Sequence, residues 1–222
     1  MIPLRETSMN DFAPSLVLLA LAGPSGAGKT TLAEHLVRTW VGAGIRVGYA
    51  KHASHGFQMD RPGKDSSRLT AAGAAGVAVT GPEGTAFLES GAPTTAAGLA
   101  RRFFPDAEIV VVEGFREERL PTVLLAGETA PVEAPLGDVG AVLAGYGPAS
   151  RRGALEAVLG SKPVFDRGQL DGLVALLDGW RSGLRTSGQG ASRRAAGVRP
   201  AMRLVAGGDS VGEALRIRLA GD

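Results

Sequence analysis

An unbroken apolar run at 16–22 (LVLLALA) is followed at once by a glycine-rich polar turn. A short apolar run bounded by turn residues reads as a buried strand. Leu32, Leu36, Val37, Trp40 and Val41 then recur at helical spacing, so residues 29–41 are expected to form an amphipathic helix, ended by Gly42-Ala43-Gly44. A second strand is expected over 45–50. Strand, helix and strand in that order imply a parallel pair joined by a right-handed crossover. Asp65-Ser66-Ser67 offers caps for a short helix to about 72, closed by Gly73. Strands over 76–80 and 85–89 pair as a hairpin across Gly81-Pro82-Glu83-Gly84. A helix over 94–104 is expected to bury Leu99 and Phe103 or Phe104, and the apolar segment 108–112 (EIVVV) reads as a central strand. Strands at 122–126 and 139–144 and helices at 154–159 and 169–180 complete the body. The pattern predicts an α/β fold, a mostly parallel sheet flanked by helices with a β-hairpin insertion.

The turn after the first strand carries chemistry. Gly23-Pro24-Ser25-Gly26-Ala27-Gly28-Lys29-Thr30 matches G-x-x-x-x-G-K-T, the phosphate-binding P-loop. Glycines let the backbone curl so that successive N–H groups point at phosphate oxygens, and the following helix presents its positive end to the same anion. Gly23, Ser25, Gly26, Ala27, Gly28 and Thr31 are therefore candidate phosphate contacts. Lys29 reaches the β- and γ-phosphates, and the Thr30 hydroxyl is a Mg²⁺ ligand. This fold class is the P-loop NTPase type.

Composition narrows the alternatives. The chain of 222 residues is 44% hydrophobic and 21% charged, enough to bury a sizeable core. Cysteine is absent, which excludes disulfides, thiolate catalysis and Cys-ligated zinc and fits a cytoplasmic setting. The net charge of +2 is unevenly spread. From Arg181 onward eight arginines face Asp209, Glu213 and Asp222, a surplus of five positive charges, and the remainder stands at −3. The basic character thus belongs to the tail, and nucleic-acid binding by the body is not expected. Residues 1–15 are expected as an N-terminal extension, 16–181 as the nucleotide-binding domain and 182–222 as a basic Gly/Arg-rich tail. In that tail, 182–200 reads as a linker, 202–206 as a strand, and Ser210 with Glu213 as the cap of a short helix. Arg5 followed by the first apolar run resembles a signal peptide, but Glu6 and Asp11 interrupt it and the run is only seven residues long. It is read as a strand, and no membrane partner is expected.

A P-loop protein needs a second acid for its metal, at the end of a neighbouring apolar strand. Glu113, after Val110-Val111-Val112, fills that description. The loop 51–64 leaves the C-terminal end of the second strand, the sheet edge where ligands bind. Lys51 and His52 are candidate phosphate contacts there, or else solvated side chains. His52-x-x-His55 has the spacing of half a metal site, but with no cysteine and His35 expected to face elsewhere a zinc site is not the expected reading. Asp60 is a candidate water-positioning acid, and Lys64 and Arg68 are candidate anion contacts. The bland alternative for this charged stretch is a solvated loop and helix cap. No N/T-K-x-D guanine-reading segment occurs.

The order GPSGAGKTT (23–31), AKHASH (50–55), DRPGKDSSRLTAAGA (60–74) and VVVEGFRE (110–117) resembles the MobB family of molybdopterin-guanine dinucleotide biosynthesis adapter proteins. The resemblance covers 16–180. It implies a dimeric P-loop protein that binds GTP with Mg²⁺ and hydrolyses it slowly. It also implies partners, the molybdenum cofactor guanylyltransferase and the molybdenum-insertion protein. The candidate catalytic residues remain Lys29, Glu113 and Asp60, with Thr30 and Glu113 as the candidate metal ligands. Arg116 stands where the family usually has lysine, and either Arg116 or Arg119 is a candidate to act across a dimer interface. The alternative reading is a small-molecule P-loop kinase that uses ATP.

Overall fold

The computed structural model describes residues 16–53, 65–82, 84–89, 95–115, 117–132, 141–187, 201–209 and 212–220. In chain order the elements are β1 (Val17–Ala22), α1 (Lys29–Gly42), β2 (Val47–Lys51), α2 (Asp65–Ala71), β3 (Gly76–Gly81), β4 (Gly84–Glu89), α3 (Ala96–Phe103) and β5 (Ile109–Glu113). There follow β6 (Thr122–Leu125), β7 (Val142–Gly147), α4 (Arg152–Leu159), β8 (Val164–Asp166), α5 (Leu170–Ser187), β9 (Ala201–Asp209) and β10 (Gly212–Ala220). Six strands form one sheet in the order β2-β5-β1-β6-β7-β8. The pairs β1/β6, β6/β7 and β7/β8 are parallel. This is the expected α/β architecture.

The chain divides into two compact units. The first takes the described residues within Met1–Tyr49, Phe104–Val111 and Arg119–Arg193. The second takes those within Ala50–Phe103, Val112–Glu118 and Arg194–Asp222.

In the first unit, side chains that alternate along the strands build two cores. Leu19 and Leu21 of β1, Val123 and Leu125 of β6, Leu32, Leu36 and Trp40 of α1, and Leu173 and Leu177 of α5 pack together. The opposite side of β6 gives Leu124, which packs with Val142, Val164 and the α4 residues Leu155 and Leu159. Helices α1 and α5 therefore cover one face and α4 the other. The Trp40 indole N–H donates to Asp178 Oδ1 at 2.9 Å, which joins α1 to α5 by a polar bond at the rim of the apolar core.

In the second unit, β3 and β4 form the expected antiparallel hairpin, with Gly81 opposite Gly84. Helix α2 buries none of its residues. The hairpin β9–β10 is antiparallel as well.

The structure corrects several expectations. The strand expected at 139–144 lies at Val142–Gly147. It runs on through Gly145, where α4 packs so close that a Cβ would stand 2.8 Å from Leu159 Cδ1. β8 was not expected, because three residues are too few to show a period. α5 runs on to Ser187, through the start of the expected linker. The short helix expected from Ser210 is the strand β10. Leu215, Ile217 and Leu219 alternate with Arg216 and Arg218, and that period-2 pattern outweighs the weak capping box.

Candidate functional site

The P-loop takes the conformation its glycines allow. Gly26 and Gly28 have φ of 75° and 91°, a region other L-residues enter only with strain. Gly23 has φ 150°, and a Cβ on it would collide with the carbonyl oxygen of Leu125 on β6. Ala27 N–H donates to Pro24 C=O at 3.3 Å and closes the turn. Gly28 caps α1 without any side-chain hydrogen bond, and the first turn holds no acid. No side chain therefore caps the N-terminal amides of α1, which suits an anion. Lys29 Nζ donates to Gly23 C=O at 2.9 Å and Pro24 C=O at 2.7 Å, so the ammonium is held across the loop. Ser25, Thr30 and Thr31 are exposed, whereas Ala27 is buried. The predicted loop residues are thus together in one cradle.

A second constellation lies at the end of β5, in the other unit. Glu113 is 3% exposed. Its Oε2 stands 3.9 Å from Lys51 Nζ, and its Oε1 accepts no hydrogen bond from the described residues. A buried carboxylate oxygen without a donor is costly unless something else satisfies it, and a hydrated cation would do so. His52 N–H donates to Glu113 C=O at 2.9 Å, and its ring packs at 45° on Phe115 with centroids 5.6 Å apart. Gly114, at φ 87°, lets the chain pass under His52, whose carbonyl oxygen would collide with a Cβ at that position. This explains the residue types in the sequence Glu113-Gly114-Phe115. Lys51 and His52, expected at phosphates, here frame Glu113. Arg68 is exposed in the last turn of α2. Asp60, Lys64, His55 and Arg116 lie outside the described residues.

A feature not anticipated from the sequence is a cleft of about 460 Å³ beside the P-loop, within the first unit. Gly26, Gly28 and Thr31 form one end. Glu34, His35 and Arg38 line it along α1. Tyr146 at the end of β7, with Arg167 and Leu170 after β8, lines the rest. His35 therefore faces the same cleft as the P-loop, where the sequence placed it elsewhere. Positions 31, 34, 35 and 38 share one helical stripe, and this spacing was the signal available. Arg167 is supported by its surroundings. Its Nη1 donates to Glu128 Oε1 at 2.7 Å. Its turn is fixed by Asp166 Oδ1, which accepts from Gly168 N–H at 2.8 Å, and by Gln169 Oε1, which accepts from Asp166 N–H at 3.1 Å. Burial raises the Tyr146 phenol above its ordinary value of 10.0; the positive charge of Arg167 lowers it and Asp166 raises it further.

Comparison with known proteins decides the family. The model of molybdopterin guanine dinucleotide synthesis protein B, MobB, matches residues 18–142. The chain belongs to the MobB family. The matched segment holds the P-loop, Lys51, His52 and Glu113, and ends before Tyr146 and Arg167. A Haemophilus influenzae molybdopterin-guanine dinucleotide biosynthesis adapter protein is 40% identical over 119 residues, 53% of this chain and 65% of that protein. An Escherichia coli protein of the same name is 36% identical over 112 residues, 49% of this chain and 64% of its own length. The chain thus spans just under two thirds of these two MobB relatives. Among solved structures, Bacillus subtilis MobB superposes with a TM-score of 0.56 at 22% identity, over 72% of this chain and 97% of that one. A MobB homolog from Bacillus stearothermophilus gives 0.52 at 24%, over 76% and 98%. These two similarities show the shared fold.

Proposed function

We propose that this chain is a GTP-binding adapter in molybdopterin guanine dinucleotide biosynthesis, with slow Mg²⁺-dependent GTP hydrolysis. The observation that carries this reading is the family match, whose span takes in the P-loop, Lys51, His52 and Glu113. The names of the two relatives give the pathway. The amides of Gly23 and of residues 25–28, with Lys29 and Thr31, bind the triphosphate. Thr30 and Glu113 hold Mg²⁺, and the donor-free Oε1 of Glu113 supports its part. Bound there, the cation neutralises phosphate charge. Lys51, His52, Lys64 and Arg68 make further anion contacts, and Asp60 positions water. Slow turnover is what the resemblance to the family implies.

The protein acts as a cytoplasmic homodimer beside the guanylyltransferase and the molybdenum-insertion protein. Incubation with GTP or ATP and Mg²⁺ tests the reaction. Slow phosphate release from GTP without any acceptor is expected. Turnover that strictly requires an acceptor and prefers ATP would instead identify a small-molecule kinase.

A further inference from the structure

The cleft beside the P-loop is large enough for more than phosphates, and its lining differs from the cradle. About 300–1,000 Å³ is the usual range for a small-molecule site, and this cleft measures about 460 Å³. It starts at Gly26, Gly28 and Thr31, so it opens directly off the phosphate cradle. Leu32 and Leu170 give apolar wall, and Tyr146 adds an aromatic side chain. Two arginines line the cleft. Arg38 has no partner among the described residues, and Arg167 is held in place by Glu128.

Arginine offers only donors. Guanine presents two adjacent acceptors, O6 and N7, which one guanidinium engages with paired N–H groups. Adenine presents an amino donor beside N7, which opposes the same guanidinium. We infer that this cleft is the nucleoside subsite, and that Arg38 and Arg167 select a purine with a 6-keto oxygen over adenine. The inference rests on the nucleotide-binding reading above and adds the residues that set base preference. Tyr146, Arg167 and Leu170 lie beyond residues 18–142, so the family match does not include them.

The test is a set of binding isotherms on the full chain with Mg²⁺ and non-hydrolysable GTP, ITP and ATP analogues. GTP and ITP should bind within about threefold of each other, because both carry O6 and N7. ATP should bind about tenfold to a hundredfold more weakly. Arg167→Ala and Arg38→Ala should each shrink the GTP-over-ATP ratio and leave ATP affinity nearly unchanged. Arg167→Lys keeps a charge for Glu128 but loses the paired donors, so it should shrink the ratio with the fold intact. Equal binding of GTP and ATP by the unmodified chain would overturn the inference. So would a GTP preference that survives in all three variants, or GTP far tighter than ITP, which would mark a carboxylate reading the 2-amino group. Failure of every nucleotide to bind would overturn the GTP-binding reading itself, a result distinct from these.

Discussion

Replacing Gly23 with alanine tests whether the P-loop is built as described. Two separate costs arise. The backbone sits at φ 150°, where a side chain is strained by about 1–3 kcal/mol. The new Cβ would also collide with Leu125 C=O and stand 3.1 Å from Leu125 Cβ. Leu125 is fully buried in β6, so the strand has little room to yield, and overpacking adds about 1–3 kcal/mol. The total is about 2–6 kcal/mol, against a typical stability of about 5–15 kcal/mol. Gly26→Ala is the control. Its φ of 75° is strained, but no atom lies within 4 Å of the new Cβ, so only about 1–2 kcal/mol is expected. Urea unfolding followed by tryptophan fluorescence compares the two, because Trp40 lies in the core that holds Leu125. With a slope of about 2 kcal/mol/M, Gly23→Ala should lower the midpoint by about 1–3 M and Gly26→Ala by less than about 1 M. Equal midpoints for the two variants would refute the close approach of the loop to β6.

Other substitutions probe other links. Leu36→Ala removes a side chain with no exposure in the α1 core and should cost about 2–5 kcal/mol in the same unfolding assay, with a larger cavity giving the higher value. Glu113→Gln should not lower stability, because its 3.9 Å pair with the 56% exposed Lys51 contributes little and the substitution removes a buried, donor-free charge. The same variant should lose the Mg²⁺ dependence of GTP binding, read by titration with and without the cation; an unaltered dependence would remove Glu113 from the metal site. Tyr146 has a raised folded pKa, so its contribution is complete below its unfolded pKa of about 10 and is lost as pH rises through the folded value. The urea midpoint should therefore fall above about pH 10 more steeply in the unmodified chain than in Tyr146→Phe.

What the sequence revealed depended on how local the information is. The P-loop was legible because its positive-φ positions are written as glycines a few residues apart, ahead of a helix with a clear apolar stripe. β5 was legible from its unbroken apolar run, and all five of its residues are buried. The β3–β4 hairpin followed from Gly81 and Gly84. The cleft was not legible in the same way. Tyr146 and Arg167 are more than a hundred residues from the P-loop, and only the strand order β1-β6-β7-β8 brings their strand ends to the same edge. β8 is too short to carry a period, and the close packing of α4 on Gly145 of β7 is invisible in one dimension. Glu113 was expected from strand chemistry, but its framing by His52 depends on Gly114 and on pairing between segments sixty residues apart.

The central claim is that a bound guanine nucleotide serves the interaction of this chain with a pathway enzyme. A pull-down of purified molybdenum cofactor guanylyltransferase by the full chain, with and without GTP and Mg²⁺, measures it most directly. The account expects association that GTP strengthens and Lys29→Ala weakens. No association in either nucleotide state would contradict it.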